Sequence, residues 1–221
     1  MKVGDVVSAR YIARIVFLIL FVLSLFDHIF QFMTLNLFLA YVPFELCFLL
    51  RLFKPQHRFE WPLFIIFSLI FIFMVPNTFY MITDLIHLKQ FIFNFYAGLN
   101  LTEWMYFTYL LAGVFLALYC LVLMFREIRY FTPYRWFNRA LILIMMCLNG
   151  FGIYIGRFLR LHSVYLINEP LRIVRKLVTQ VDLKAMAFVL LMVVLQLLLY
   201  IFMKGVRSCL LYTSDAAADP L

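Results

Sequence analysis

Six long, uninterrupted apolar runs constrain this chain more than any other feature of its sequence. Each approaches the ~20 residues with which an α-helix crosses the hydrocarbon core of a bilayer. Because the runs are continuous rather than alternating, they predict helices and not the strands of a barrel. The predicted fold class is an all-α, polytopic membrane helical bundle with about six transmembrane helices. The runs extend roughly from Tyr11 to Phe26, Leu35 to Phe53, Trp61 to Thr83, Met105 to Phe125, Phe137 to Phe158 and Ala185 to Met203.

The composition indicates that lipid, not water, surrounds most of the chain. Of the 221 residues, 67% are hydrophobic and only 14% are charged, whereas a soluble domain is typically ~45–50% apolar and ~25% charged. The net charge of +8 fits basic residues at an anionic membrane surface, so we expect the lipid bilayer as a partner and no nucleic acid. The four cysteines contain no CxxC pair, and we expect no metal and no cofactor.

The distribution of Lys and Arg predicts the orientation of the chain. If the N-terminus is cytoplasmic, most basic residues, including Arg10 and Arg14, fall in inner segments, and the first two outer connections hold only Lys89. The positive-inside rule therefore favours a cytoplasmic N-terminus. The third outer connection is basic as well. There, residues 169–182 begin with a plausible helix start and place apolar residues at helical spacing, which predicts an amphipathic helix on the outer surface. An irregular basic loop is the alternative.

The end of the chain differs in composition from the rest. The run CLLYTSDAA within residues 208–221 resembles the translation of a sequencing adapter. We therefore expect residues 1–207 to form a single integral-membrane domain, and residues 208–221 to be a disordered, non-native tail.

One polar stripe lies within the third apolar run. Asn77, Tyr80, Asp84 and His87 recur at i, i+3, i+7 and i+10, which places them within about 80° of each other on an α-helix. Polar side chains are expensive in a bilayer, so they are usually buried against protein or water and often functional. These four residues are the first part of the candidate site. Pro76 predicts a kink at the start of the stripe, where Asn77 would replace lost hydrogen bonding. The alternative is that Asp84 and His87 only end a helix at the interface.

The second part of the candidate site is the end of the fifth run. Gly152 and Gly156 form a GxxxG that predicts close helix packing, and Arg160 continues their stripe beside Arg157. Since the third and fifth helices are predicted to run in the same direction, we expect an ion pair of Asp84 with Arg157 or Arg160 at the outer side. The alternative is that these arginines reach lipid phosphates on their own.

Glu45 and Gln196 are polar residues inside other apolar runs. Glu45 is predicted near the centre of the bilayer, with no Lys or Arg at the same depth, so we expect a neutral, hydrogen-bonded structural acid. A role in proton relay is the alternative. Gln196 is expected to hydrogen bond between helices.

Three segments resemble the family of domains of unknown function numbered 1361. They are NLFLAYVP (residues 36–43), VPNTFYMITDLIHL (75–88) and GFGIYIGRFLR (150–160). The resemblance implies a bacterial multi-pass membrane protein, and with the orientation above it implies the bacterial cytoplasmic membrane. It carries no established activity. The family positions that it implies are Asn36, Pro43, Pro76, Asn77, Tyr80, Thr83, Asp84, His87, Gly152, Gly156, Arg157 and Arg160. Phe79 and the run from Leu161 to Tyr165 depart from the family pattern.

Three functional classes remain open. The first is binding or transport of an anionic solute or lipid headgroup, held by Arg157 and Arg160, because guanidinium matches phosphate and carboxylate geometry. The second is a membrane-embedded enzyme acting on a lipid-linked or phosphorylated substrate, with Asp84 or His87 as general base. The third is a structural or assembly subunit. We favour the first, because no paired nucleophile and base is evident; whether the protein is an enzyme stays open.

Overall fold

The computed structural model describes residues 3–26, 31–91, 93, 96, 98–159 and 181–216. Among these residues there are helices and no β-strand, which confirms the all-α prediction. The α-helices are α1 (Val3–Leu25), α2 (Gln31–Leu52), α3 (Trp61–Tyr80), α4 (Leu101–Arg129), α5 (Arg135–Arg157) and α6 (Leu183–Ala216). A short 3-10 helix, Arg58–Glu60, precedes α3, and a longer one, Met81–Gln90, follows it directly.

Six helical spans in the described part of the chain are long and apolar enough to cross a bilayer. Their outward faces are apolar too: on α1, the side chains of Ile12, Ile15, Leu18 and Ile19 are each more than half exposed. Large apolar side chains displayed at this density are suited to lipid and not to water. The protein is therefore a membrane protein.

Several helices extend beyond the apolar runs that predicted them. α1 begins at Val3 rather than Tyr11, and α4 covers Leu101–Arg129 rather than residues 105–125. Apolar runs mark only the part of a helix that hydrocarbon surrounds, whereas the helix continues into polar sequence. One consequence is a correction: Arg10, which lies before the predicted run, and Arg14, which lies within it but was counted among the inner residues, are both inside α1.

The chain divides into two compact units, Met1–Ile142 and Leu143–Leu221, and α5 begins in the first and continues in the second. In the first unit, α2 packs against α1, α3 and α4, while α4 also contacts α1, α3 and the 3-10 helix Met81–Gln90. Half of the α4 span is buried. The single domain predicted for residues 1–207 stays a prediction.

α1 and α2 form an antiparallel pair whose register can be followed residue by residue. The rings of Phe17 and Tyr41 stack with centroids 3.9 Å apart. The contacts are, from one end to the other, Arg10 with Phe48, Arg14 with Glu45, Phe17 with Tyr41, Phe21 with Phe38, and Ser24 with Thr34. Because aromatic and charged contacts are directional, they set this register more strictly than aliphatic packing would.

In the second unit, polar and small residues join α5 to α6. Asn149 Nδ2 donates to Gln196 Oε1 at 2.8 Å, and Gln196 Nε2 donates to the carbonyl oxygen of Met146 at 3.0 Å. This confirms the interhelical role predicted for Gln196. The close approach lies at Gly150, where a Cβ would stand 3.0 Å from the carbonyl oxygen of Val189. Gly152 and Gly156 are half-buried, and their packing role stays a prediction.

Two predictions concern the end of the chain. Most of the surface helix predicted at residues 169–182 lies outside the described residues; Asp182, which is described, accepts from the backbone nitrogen of Ala185 at 2.8 Å and so caps the start of α6. α6 extends to Ala216, so most of the segment 208–221 is helical where we expected disorder. The non-native origin of that segment stays a prediction.

Candidate functional site

The predicted polar stripe does not lie on one α-helix. Asn77 and Tyr80 are in α3, but Asp84 and His87 are in the 3-10 helix that spans the ten residues Met81–Gln90. A 3-10 helix has three residues per turn, so Asp84 and His87, three positions apart, lie directly above one another. Runs longer than 3–4 residues are uncommon in proteins and often mark a hinge or a strained sequence.

Asp84 is the most enclosed member of the stripe. Its side chain has an exposed fraction of 0%, and its Oδ2 accepts a hydrogen bond from Asn36 Nδ2 at 2.8 Å. A carboxylate removed from water requires such donors, because burial without them is costly. Asn36 lies in the first turns of α2, so this bond joins α2 to the 3-10 helix.

Aromatic and sulfur-containing side chains pack on the same segments, α2 and the 3-10 helix. The imidazole ring of His87 lies against Phe32, with ring centroids 4.2 Å apart. α4 approaches closely at Gly113, where a Cβ would collide with the Met33 side chain and lie 3.1 Å from Met81 Cε. The absence of a side chain at Gly113 therefore lets α2 and the 3-10 helix pack on α4. We refer to Asn36, Asp84 and His87 as the Asp84 cluster.

The turn before this cluster uses side chains to satisfy backbone carbonyls. Asn77 Nδ2 donates to the carbonyl oxygen of Met74 at 3.0 Å, and not to that of Ile72, the carbonyl that Pro76 leaves without its helical donor. Thr78 Oγ1 donates to the carbonyl oxygen of Ala40 in α2 at 2.8 Å. The Asn77 bond stays within α3, whereas the Thr78 bond fixes the last turns of α3 against α2. Both lie immediately before the α-helix gives way to the 3-10 helix.

Glu45 corrects the expectation of an acid without a basic partner. Arg14 forms two hydrogen bonds with it, Nε to Oε1 and Nη2 to Oε2, each 2.8 Å long. The Tyr41 hydroxyl also donates to Oε1. This fork geometry is typical of a guanidinium and a carboxylate that are both charged. The prediction failed because Arg14, although it lies in the predicted run from Tyr11 to Phe26, was counted among the inner basic residues and not as a partner of Glu45.

A second ion-pair group lies where α1, α2 and α4 meet. Glu127 is 9% exposed and binds Arg10 Nη2 through Oε1 at 3.0 Å and Arg51 Nη1 through Oε2 at 3.4 Å. The guanidinium of Arg10 also stands 3.6 Å from the ring centroid of Phe48, a cation–π contact. We refer to Arg10, Arg51 and Glu127 as the Glu127 cluster. No local sequence pattern indicates this cluster, because its three members lie on three different helices.

The arginines predicted to complete the site lie in the second unit of the chain. Arg157 is the last residue of α5 and is half-buried, and Arg160 lies outside the described residues. The expected ion pair of Asp84 with Arg157 or Arg160 stays a prediction. In the described part of the chain, no three His, Cys, Asp or Glu side chains gather as metal ligands would.

The comparison with protein families gives one match. The family described as "Protein of unknown function (DUF1361)" matches residues 35–199, which is more than half of the chain and includes both the Asp84 cluster and the end of α5. No curated protein and no solved structure matches the chain. The chain belongs to the DUF1361 family.

Proposed function

We propose that this DUF1361 protein binds or transports an anionic solute or lipid headgroup. The proposed site residues are those of the Asp84 cluster, Arg157 at the end of α5, and Arg160. The observation that carries the proposal is the environment of Asp84: a fully buried carboxylate, held by Asn36, in a 3-10 segment that continues a membrane helix. Ionisable residues within membrane segments usually mark ligand or ion pathways. Transport sites often lie where a membrane helix is interrupted.

The ligand class follows from the basic residues. Arg157 and Arg160 supply two guanidiniums at the end of α5, and a guanidinium presents its N–H groups in a fork that fits phosphate and carboxylate oxygens.

We further propose that the protein lies in the bacterial cytoplasmic membrane with its N-terminus in the cytoplasm. Support comes from basic residues in the connection 53–60 and in the helix ends on either side of the connection 130–134, namely Lys54, Arg58, Arg126, Arg129, Arg135 and Arg139. Single cysteines at Gln56 and Leu99, in a protein with its four cysteines replaced, test this topology. Only Leu99→Cys should react with an impermeant maleimide in intact cells; labelling of Gln56→Cys instead would reverse the orientation.

Native mass spectrometry of the detergent-extracted protein tests the ligand. The wild type is expected to retain a specific anionic species that Arg157→Ala/Arg160→Ala loses. Arg135→Ala/Arg139→Ala is the matched control, because it removes two exposed arginines from the opposite end of the same helix. Identical bound species in all three proteins would contradict the proposal.

An exchange of side chains separates a functional carboxylate from a structural hydrogen bond. Asp84→Asn removes the charge, and Asn36→Asp/Asp84→Asn restores the donor–acceptor pair with the carboxylate on α2. If the carboxylate is needed at position 84, ligand binding stays lost in the exchanged protein although it folds. Recovery of both folding and binding would indicate a purely structural pair.

The enzyme interpretation is supported by one feature, the placement of Asp84 and His87 above one another on the 3-10 helix. A carboxylate next to an imidazole is a suitable general-base pair. Retained ligand binding together with lost turnover of that ligand in Asp84→Asn would favour this second function.

A further inference from the structure

The end of α2 opposite Asn36 carries a second candidate site, which does not depend on the proposed function. There, hydrogen bonds link the end of α2 and the connection 53–60 to the connection 130–134. Arg51 Nη2, from α2, donates to the carbonyl oxygen of Tyr130 at 3.5 Å, and Lys54 Nζ donates to that of Phe131 at 3.4 Å. The Lys54 ammonium also lies 5.7 Å from the ring centroid of Phe131. Residues 53–60 and 130–134 therefore form one continuous surface.

Both connections are held in shape by their own hydrogen bonds. Asn138 Nδ2 donates to the carbonyl oxygens of Arg129 at 2.9 Å and Thr132 at 2.7 Å. In the other connection, Glu60 Oε2 accepts from the backbone nitrogen of Gln56 at 2.8 Å. A preformed surface binds a ligand without a large loss of conformational entropy.

Positive charge exceeds negative charge on this surface. Glu127 is shared by two guanidiniums, and among the described residues the acceptor that Lys54 contacts is a neutral carbonyl oxygen. The contacts of Arg51 and Lys54 measure 3.4–3.5 Å, whereas charge-assisted hydrogen bonds of this type are usually ~2.7–2.9 Å. Both side chains are exposed and retain N–H groups for a further acceptor, which should be an oxyanion.

Exposed aromatic residues lie in or next to the two connections and indicate where the acceptor comes from. Such rings are enriched at the level of lipid headgroups, where one end of the side chain is apolar and the other is hydrated. Trp61 connects to the surface through Phe64, which stacks on Phe131 with centroids 6.3 Å apart. The exposed aromatic residues are Phe59, Trp61, Tyr134 and Trp136, each more than half exposed.

We propose that Arg51 and Lys54 bind the phosphate group of an anionic phospholipid, in a site that the two connections hold at headgroup depth. The guanidinium binds two phosphate oxygens and the ammonium a third. A water-soluble anion would need the same two cations, but it would not need the aromatic residues around them.

Tryptophan fluorescence tests the proposal in the intact protein. On a Trp104→Phe background, the remaining residues Trp61 and Trp136 report from this surface. In phosphatidylcholine vesicles, brominated phosphatidylglycerol is expected to quench them more strongly than brominated phosphatidylcholine. Arg51→Gln/Lys54→Gln should reduce the preference for phosphatidylglycerol roughly fivefold per removed charge.

Arg135→Gln/Arg139→Gln is the matched control, since it removes the same charge from the start of α5, beside the same connection. Its preference for phosphatidylglycerol should stay near that of the wild type. An equal loss of this preference in both variants would indicate only diffuse attraction to the membrane surface, and it would overturn the proposal. No loss in either variant would also overturn it. Displacement of the brominated lipid by inorganic phosphate at comparable affinity would overturn the lipid as ligand.

Folding can be separated from binding with single substitutions. Arg51→Gln leaves Glu127 with Arg10 as its described partner, and thermal unfolding in detergent checks that the variant folds. If it does not fold, Lys54→Gln and Arg51→Lys replace it in the assay. The first should lose part of the lipid preference and the second should keep most of it; the reverse result would overturn the proposal.

Discussion

The two ends of α2 accommodate acidic side chains differently. Toward its C-terminal end, Glu45 and Glu127 are bound by guanidiniums from neighbouring helices at 2.8–3.4 Å. Near its N-terminal end, Asn36 instead donates to a carboxylate, that of Asp84, carried by a 3-10 segment. The ion pairs join α-helices with regular hydrogen bonding, whereas the amide–carboxylate bond joins α2 to a segment whose own backbone bonds have poorer geometry.

This difference separates two uses of charge in a membrane protein. Ion pairs between α1, α2 and α4 set helix register, because removing either partner leaves a charge in a poorly hydrated place. A carboxylate on a weakly wound segment does little for register but can exchange partners when the segment moves. The first region is thus suited to stability and the second to function, and the following substitutions test that division.

Loss of the Glu127 carboxylate should have the largest effect on stability. Glu127→Gln leaves Arg10 and Arg51 facing a neutral amide, and we expect a loss of roughly 3 kcal/mol in the free energy of unfolding, near the lower end for a broken buried pair because Arg51 is screened. Unfolding by SDS in mixed micelles measures it. Glu103→Gln, in the first turn of the same helix, should unfold nearly like the wild type; equal losses in both variants would show that the Glu127 cluster does not stabilise the fold.

The pair of Arg14 and Glu45 should show a smaller effect that a second substitution reverses. Glu45→Leu alone leaves Arg14 without its carboxylate, and we expect a loss of about 2 kcal/mol, because both side chains remain partly exposed. Arg14→Leu/Glu45→Leu should regain most of this stability, since two apolar groups replace two charges. A double-mutant cycle with no coupling would show that the pair does not set the register of α1 and α2.

Loss of the Asn36 amide should have a moderate effect that depends on Asp84. Asn36→Leu removes a donor to a buried carboxylate and should cost about 1.5 kcal/mol. In an Asp84→Asn background the same substitution should cost less, because the acceptor is then neutral. An identical cost in both backgrounds would mean that the hydrogen bond between the two side chains contributes nothing.

Thr78→Val should have the smallest effect. It removes the hydrogen bond to the carbonyl oxygen of Ala40 while it keeps the shape of the side chain, and bonds of this kind between membrane helices average ~0.6 kcal/mol. We expect the unfolding midpoint to change slightly and ligand binding to stay normal. Lost binding at wild-type stability would instead extend the functional region into α3.

Much of the helical architecture could be predicted from the sequence, because hydrophobic length is a local property. The start of α3 at Trp61 was predicted correctly, and each of the six apolar runs corresponds to an α-helix. The helix ends that lie in polar sequence, such as the start of α1 at Val3, were not predicted. No local signal marks where a helix stops once it leaves the hydrocarbon region.

The candidate site could be predicted only in part. Asp84 was selected because it belongs to a stripe of polar residues at helical spacing in an apolar run, and it is fully buried. Its bond to Asn36 depends on how α2 packs, which a pattern along one helix does not contain. The partner of Glu45 was missed for a related reason: Arg14 lies in the first apolar run, but its pairing with Glu45 depends on how α1 packs against α2.

The 3-10 winding of Met81–Gln90 has a mechanical consequence. The same ten residues wound as an α-helix would be about 5 Å shorter, and their far end would be turned by about 200° relative to Tyr80. Rewinding this one stretch would therefore act like a screw: it would draw Gln90 toward Tyr80 and would turn the Asp84 carboxylate away from Asn36 on α2.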